Sequence, residues 1–136
     1  MGNISMLEML GHHVATDLPH EHEVNIDELL KVINPLLALW PHPVLVTSGY
    51  RSMQDHLRIY RSKGVPDDKI PMGSSHLVGR AVDISDPDLS MTHWLQTDPT
   101  AITTAEKLGL YFEAGNKNWV HITNRPPQSG NRWFKP

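Results

Sequence analysis

The chain has 136 residues, of which 39% are hydrophobic and 20% charged, and its formal net charge is −3. These values suit a folded domain and exclude an intrinsically disordered chain, and the lack of a basic cluster argues against nucleic-acid binding. Because Cys is absent, disulfides and thiolate metal sites are excluded, so any metal must be bound by His, Asp or Glu.

The N-terminal part predicts an irregular segment followed by a long helix. We expect residues 1–24 to be irregular and the helix to begin at Asn25, which can cap it together with Glu28. Apolar residues follow at helical spacing to Trp40, and Pro35 inside this pattern predicts a kink or break. The N-terminus lacks a basic start before an apolar run, so we expect no signal peptide, synthesis in the cytoplasm and no membrane insertion.

The rest of the chain predicts alternating strands and helices. A strand is expected at 44–47, a helix at 53–62, a loop at 65–75 and a strand at 80–85.

The C-terminal part adds one or two helices within 87–109, the second starting at Pro99, then a hairpin of strands at 110–113 and 118–123. Residues 125–136 are expected to form a tail. Because we find no internal repeat or linker, the economical interpretation is a single α+β domain formed by the whole chain.

A possible metal site is indicated by His76 and Asp83, which lie seven residues apart. Val82 and Ile84 predict a short buried strand around Asp83, where a carboxylate is costly without a partner. Imidazole and carboxylate groups suit zinc. His121, among apolar strand residues, is a candidate third ligand.

Arg51 directly follows a predicted strand, where a guanidinium can bind a carboxylate or stabilise a developing oxyanion. Each candidate also has an ordinary structural interpretation: a turn for His76 with Asp83, a hydrogen-bonded core position for His121 and a surface salt bridge for Arg51. The remaining histidines are expected to be surface or capping residues: His12, His13, His20, His22, His42, His56 and His93.

Three motifs together resemble one protein family. They are Ser-Gly-Tyr-Arg-Ser at 48–52, Ser-x-His-x-x-Gly-x-Ala-x-Asp at 74–83 and Trp-Val-His at 119–121. They resemble zinc peptidases that cut D-amino-acid bonds in bacterial peptidoglycan, including D-Ala-D-Ala carboxypeptidases and phage L-alanyl-D-glutamate endolysins. The resemblance implies the hedgehog/DD-peptidase fold: a small antiparallel sheet with helices packed on one side and a zinc cleft.

The resemblance also implies roles for individual residues. It implies that His76, Asp83 and His121 bind Zn²⁺ and that Arg51 contacts the scissile carbonyl or a substrate carboxylate.

Ser74 matches the serine that opens the family motif, and we expect it to bind substrate. Tyr50 is a second expected substrate-binding residue, because its aromatic ring can line a sugar or peptide groove. For Gly79 and Ala81 we expect that a small side chain lets the loop and the facing strand approach the metal closely.

The general base is less directly indicated. Many of these peptidases have an acid or His three residues before the last zinc ligand, where this chain has Asn118, whose amide cannot accept a proton. We predict instead that Glu113, similar to a glutamate that hedgehog-type domains place beside zinc, is the base.

The implied function is zinc-dependent hydrolysis of peptidoglycan stem peptides or crosslinks. The absence of a signal peptide suits a phage lytic or virion-associated protein, as a monomer or as part of a phage particle. An alternative left open by Asn118 is a catalytically inactive zinc-binding module of the same fold.

Overall fold

The structure is a computed structural model that describes residues 2–135. Its strands form one sheet, and they are β1 (Val46–Ser48), β2 (Ala81–Asp86), β3 (Tyr111–Glu113), β4 (Asn118–Thr123) and β5 (Trp133–Phe134). Across the sheet the order is β1-β2-β4-β3-β5. All neighbouring strands are antiparallel except β3 and β5, which are parallel. The predicted small antiparallel sheet is therefore present, with one parallel strand at its edge.

The helices are α1 (Met6–Leu10), α2 (His20–Leu37), α3 (Met53–Ser62), α4 (Ser90–Thr97) and α5 (Pro99–Leu108). The prediction of a second helix starting at Pro99 is confirmed, and Asp98 caps it by accepting a hydrogen bond from the Ala101 amide. Within residues 2–135, no helix combines the length and the apolar composition needed to cross a bilayer.

Side chains alternate along β2 and β4, so one face of these strands packs in the core and the other face carries the site residues. The side chains on the core face are fully buried with residues of α2, α4 and α5, and they are Val82, Ile84, Val120 and Ile122. Asp83 and His121 alternate with them and therefore lie on the opposite face of the sheet. The hydrophobic strand pattern thus fixes which side chains are free to form a site.

The expectation that residues 1–24 are irregular is wrong. Ser5 accepts a hydrogen bond from the Glu8 amide, and the Glu8 carboxylate bonds back to the Ser5 amide, which starts α1. The helix α2 begins at His20, and not at Asn25. Acidic residues in its first turn, Glu21 and Glu23, favour this earlier start by interacting with the helix dipole.

Asn25 does not cap a helix; its buried side chain joins α2 to the chain that precedes β2. The amide nitrogen donates to the Val78 carbonyl at 2.9 Å, and the amide oxygen accepts from Arg80 at 3.1 Å. The predicted break at Pro35 is also wrong, because α2 continues to Leu37. Pro35 lies in the last turn, where its missing amide removes only one helical hydrogen bond.

The predicted tail contributes a strand. In β5, Trp133 pairs with Phe112 and Phe134 pairs with Glu113, and the Ala114 amide donates to the Phe134 carbonyl at 2.7 Å. The Phe134 ring also lies edge-on to His121, with ring centroids 6.2 Å apart. The C-terminal residues therefore support the strand that carries Glu113.

Candidate active site

The three residues predicted as metal ligands lie together. Asp83 in β2 and His121 in β4 are directly paired across the two strands. His121 Nδ1 lies 2.9 Å from Asp83 Oδ1, and His76 Nε2 lies 3.3 Å from Asp83 Oδ2. One donor atom from each residue falls within 4.8 Å of the other two. The sheet register and the preceding turn thus bring two imidazoles and one carboxylate to one point.

His76 is held by its own local structure. It lies in a short 3-10 turn, Ser75–Val78, which Ser74 caps. The His76 amide donates a hydrogen bond to Ser74 Oγ at 3.3 Å. Its Nδ1 donates to the Gly49 carbonyl at 2.8 Å. This bond orients the ring so that Nε2 is the nitrogen that faces Asp83. The carbonyl of Gly49 is a partner that the sequence did not reveal.

The chemistry of the donor set fits zinc. His76 and His121 are buried, at 4% and 9% exposure. Burial of Asp83 opposes its ionisation, but hydrogen bonds with His121 and His76 outweigh burial and hold the pKa of Asp83 below its usual value. An ionised carboxylate and two imidazoles are the ligands that catalytic zinc sites use when one position stays open.

A cleft of about 200 Å³ opens over this cluster. Its lining combines residues of the sheet, the 3-10 turn and one face of α3, and they are Arg51, Ile59, Tyr60, Lys63, Ser74, His76, Asp83, Glu113, Trp119 and His121. The sequence predicted Arg51, Ser74 and Glu113 as site residues, and the structure brings all three to this cleft.

Glu113 and Asn118 occupy different environments. Glu113 is half-buried at the end of β3 and lines the cleft. Asn118 is exposed at the start of β4, outside the cleft lining, and has a φ of 74°, which Asn adopts more readily than most residues. The amide that replaces the usual acid therefore does not occupy the cleft, and Glu113 is the carboxylate of the lining other than Asp83.

Arg51 is oriented by two side chains. Its Nη2 donates to Ser48 Oγ at 3.2 Å, and its Nη1 lies 3.3 Å from His56 Nδ1. His56 is fully buried, and its Nε2 donates to the Pro71 carbonyl, so Nδ1 is free to accept from Arg51. The expectation that His56 is a surface or capping residue is wrong. Its helical spacing before Ile59, which lines the same cleft, was the available sequence signal.

Tyr50 is the predicted site residue that the structure does not bring to the cleft. Its hydroxyl lies 3.1 Å from His22 Nδ1, and its ring meets His13 edge-on at 5.2 Å between centroids. Burial raises the pKa of the Tyr50 hydroxyl. These contacts hold Tyr50 against the N-terminal part of the chain, away from the cleft that Arg51 lines.

Gly79 allows the chain to approach the helix α2 closely, whereas we expected it to allow a close approach to the metal. A Cβ atom at this position would lie 2.6 Å from Ile26 Cγ1 and 2.8 Å from the His22 carbonyl of α2. Gly79 also has a φ of 77°, in the left-handed region that favours glycine. The glycine therefore lets the turn carrying His76 pack directly on α2.

The sequence did not indicate the part that α3 has in the cleft. Tyr60 and Lys63 line it, with Lys63 Nζ 5.5 Å from the centre of the Tyr60 ring. Lys63 and Arg51 give the lining two cationic side chains. Trp119, 38% exposed, adds an apolar surface from β4.

The crystal structure of the L-Ala D-Glu endopeptidase ChiX from Serratia marcescens is similar, with a TM-score of 0.51 and 20% sequence identity. The match covers 84% of this chain and 93% of that one, and it shows a common fold. No curated protein matches the chain. The family described as Peptidase M15 matches residues 7–123, which is most of the chain. This chain therefore belongs to the peptidase M15 family.

Proposed function

We propose that the protein is a zinc-dependent peptidase that hydrolyses peptide bonds in bacterial peptidoglycan. The observation that carries the proposal is the convergence of His76, Asp83 and His121 in a cleft that also contains Glu113 and Arg51. Membership of the M15 family and the similarity to an enzyme described as an L-Ala D-Glu endopeptidase support it.

In this proposal His76, Asp83 and His121 hold the metal. When bound, zinc supplies Lewis acidity that activates water and polarises a peptide carbonyl. The Gly49 carbonyl keeps His76 in the tautomer that presents Nε2 as a ligand. The cross-strand pairing of Asp83 with His121 keeps the other two donors at a constant separation.

Glu113 is the proposed general base. Its carboxylate accepts a proton from the attacking water and then delivers that proton to the leaving amine nitrogen. Arg51 donates hydrogen bonds to the carbonyl oxygen, where negative charge develops as the water adds. Each of these roles is typically worth about 10²-fold or more in rate.

The cationic side chains suggest which bond to test first. A D-Glu residue that uses one carboxylate in a peptide link keeps its other carboxylate free, and Lys63, which lines the same cleft as Arg51, can bind such a group. We therefore propose the L-Ala–D-Glu bond of the stem peptide as the first candidate substrate. Delivery to the wall as a phage lytic or virion-associated protein is the corresponding proposal for its biological setting.

The test is digestion of purified peptidoglycan by zinc-loaded protein, with new amino groups quantified and the products identified by mass spectrometry. We expect a new N-terminal D-Glu, no release after treatment with a chelator, and loss of release in His76→Ala. Glu113→Gln should lose about 10²-fold or more in kcat while still binding zinc. The exposed Glu28→Gln serves as the matched control and should remain fully active.

Different outcomes would identify different errors in the proposal. Cleavage at another bond would refute the proposed substrate but would still support the proposal that the protein is a peptidase. Zinc binding and thermal stabilisation without cleavage of any stem peptide would instead support the inactive zinc-binding module. Full activity in Glu113→Gln would refute the role of Glu113.

A further inference from the structure

A second cluster of metal-ligating side chains lies outside the cleft. His12 and His13 follow α1, and Asp55 lies in the first turn of α3. His12 Nε2 and His13 Nε2 lie 3.0 and 2.9 Å from the same oxygen, Asp55 Oδ2. One donor atom of each residue falls within 4.8 Å of the other two, as in the cluster formed by His76, Asp83 and His121.

The contacts within this cluster are not fully explained by hydrogen bonding. His13 Nε2 is buried and has no aligned hydrogen-bond partner among residues 2–135, although it lies next to a carboxylate oxygen. The imidazoles of His12 and His13 both approach one oxygen, and the rings lie tilted at 36° with centroids only 4.1 Å apart. A cation placed between the three donors would satisfy all of them at once.

The surroundings favour a bound cation further. The other oxygen of Asp55 accepts a hydrogen bond from Arg58 at 2.9 Å, which orients the carboxylate with Oδ2 toward the imidazoles. Two ligands about 2.0 Å from a tetrahedral zinc ion lie about 3.3 Å apart, so the two distances from the histidines to Asp55 need to lengthen only slightly.

We propose that His12, His13 and Asp55 form a second binding site for a divalent transition-metal ion, of which zinc is the test case. His12 is 70% exposed, so the site is open to solvent and its remaining coordination positions are filled by water. The site joins the N-terminal segment to α3. That segment already contacts the chain beside Arg51, because the Tyr50 amide donates to the Met9 carbonyl at 2.8 Å. A metal here stabilises the wall of the cleft, and no step of the peptidase reaction requires it.

Equilibrium dialysis of metal-free protein against zinc, followed by elemental analysis, tests the second site. We expect two zinc ions per chain in the wild type, one for each cluster, and one in His12→Ala, His13→Gln or His76→Ala. The exposed histidine variant His93→Ala is the control for adventitious binding and should retain both ions. The combination of His13→Gln with His76→Ala should bind none.

Thermal denaturation separates a metal site from a simple ion pair. Excess zinc should raise the melting temperature of His76→Ala, which retains only the second cluster, and should not raise that of His76→Ala combined with His13→Gln. One zinc ion per wild-type chain, or a second ion that persists in both His12→Ala and His13→Gln, would refute the proposal. Because these measurements need no substrate, failure of the second site is distinguishable from failure of the peptidase assignment.

Discussion

Arg51 illustrates how one buried residue can set the direction of a functional group. His56 donates to the Pro71 carbonyl through one nitrogen and lies against Arg51 through the other. This arrangement makes His56 a positioning residue, because it acts on the substrate only through Arg51. Its burial in α3 means that the ring cannot easily move aside.

We expect His56→Ala to lower kcat by about 10-fold, because Arg51 loses an acceptor worth about 1.5 kcal/mol. His56→Asn should recover much of this loss, since its amide oxygen can accept near the position of Nδ1. Steady-state kinetics of the zinc-loaded proteins measure both, with His93→Ala as the control. Equal losses of kcat in the Ala and Asn variants would indicate that His56 only fills space.

Lys63 gives a second test at the scale of the residue. If it binds a substrate carboxylate, Lys63→Met should raise KM by about 2- to 5-fold with little change in kcat, since an exposed ion pair contributes up to about 1 kcal/mol. High salt should weaken substrate binding by the wild type and have little effect on the variant. The exposed Lys107→Met is the matched control. An unchanged KM would exclude Lys63 from substrate binding.

Among single residues, the sequence predicted which side chains converge, but it did not predict the groups that orient them. His76, Asp83 and His121 were identifiable because a motif fixes their spacing, and they converge as expected. The Gly49 carbonyl that orients His76 was not identifiable, because every residue has a backbone carbonyl and the sequence does not indicate which one is used. Tyr50 was expected to bind substrate because an aromatic ring can line a groove, but the ring and hydroxyl contact His13 and His22 instead.

Between elements, the 3-10 turn can pack against α2 because Gly79 has no side chain. At Gly79 an added Cβ would meet both Ile26 and a backbone carbonyl of the helix. At Gly64, which has the same φ of 77°, nothing lies within 4 Å of the corresponding position. The two glycines therefore separate the cost of backbone strain from the cost of a steric clash.

We predict that Gly79→Ala lowers the free energy of unfolding by more than 2 kcal/mol, and Gly64→Ala by about 1 kcal/mol. Left-handed backbone is strained for Ala at both positions, and only Gly79 adds overlap with α2. Urea denaturation of the two variants measures the difference. Equal destabilisation would mean that the turn moves away from α2 at no cost.

Elements that depend on neighbouring residues were predicted correctly, whereas elements that depend on contacts distant in the sequence were not. The start of α5 at Pro99 and the strand β4 follow from proline placement and alternation, which act within a few residues. Asn25 looked like a cap because its side-chain partners are supplied by residues more than 50 positions later. Likewise β5 has only two residues, so its pairing with β3 leaves almost no periodicity to detect.

For the whole molecule, metal binding should be linked to folding, because the donors of each cluster come from separated parts of the chain. Zinc at 100 times its dissociation constant stabilises a protein by about 2.7 kcal/mol for each site that binds only the folded state. We therefore expect a chelator to lower the urea midpoint and added zinc to restore it. His76→Ala should show a smaller zinc-dependent gain than the wild type, and an unchanged midpoint in chelator would contradict this linkage.

The position of Asp83 and His121 in the sheet has a kinetic consequence. They face each other in β2 and β4, neighbouring strands in the interior of the order β1-β2-β4-β3-β5, and each of these strands is hydrogen-bonded on both sides. Their backbone amides should therefore be among the slowest in the protein to exchange with deuterium, whether or not zinc is present. Stripped enzyme should then regain activity as fast as ions arrive, without a slow refolding phase.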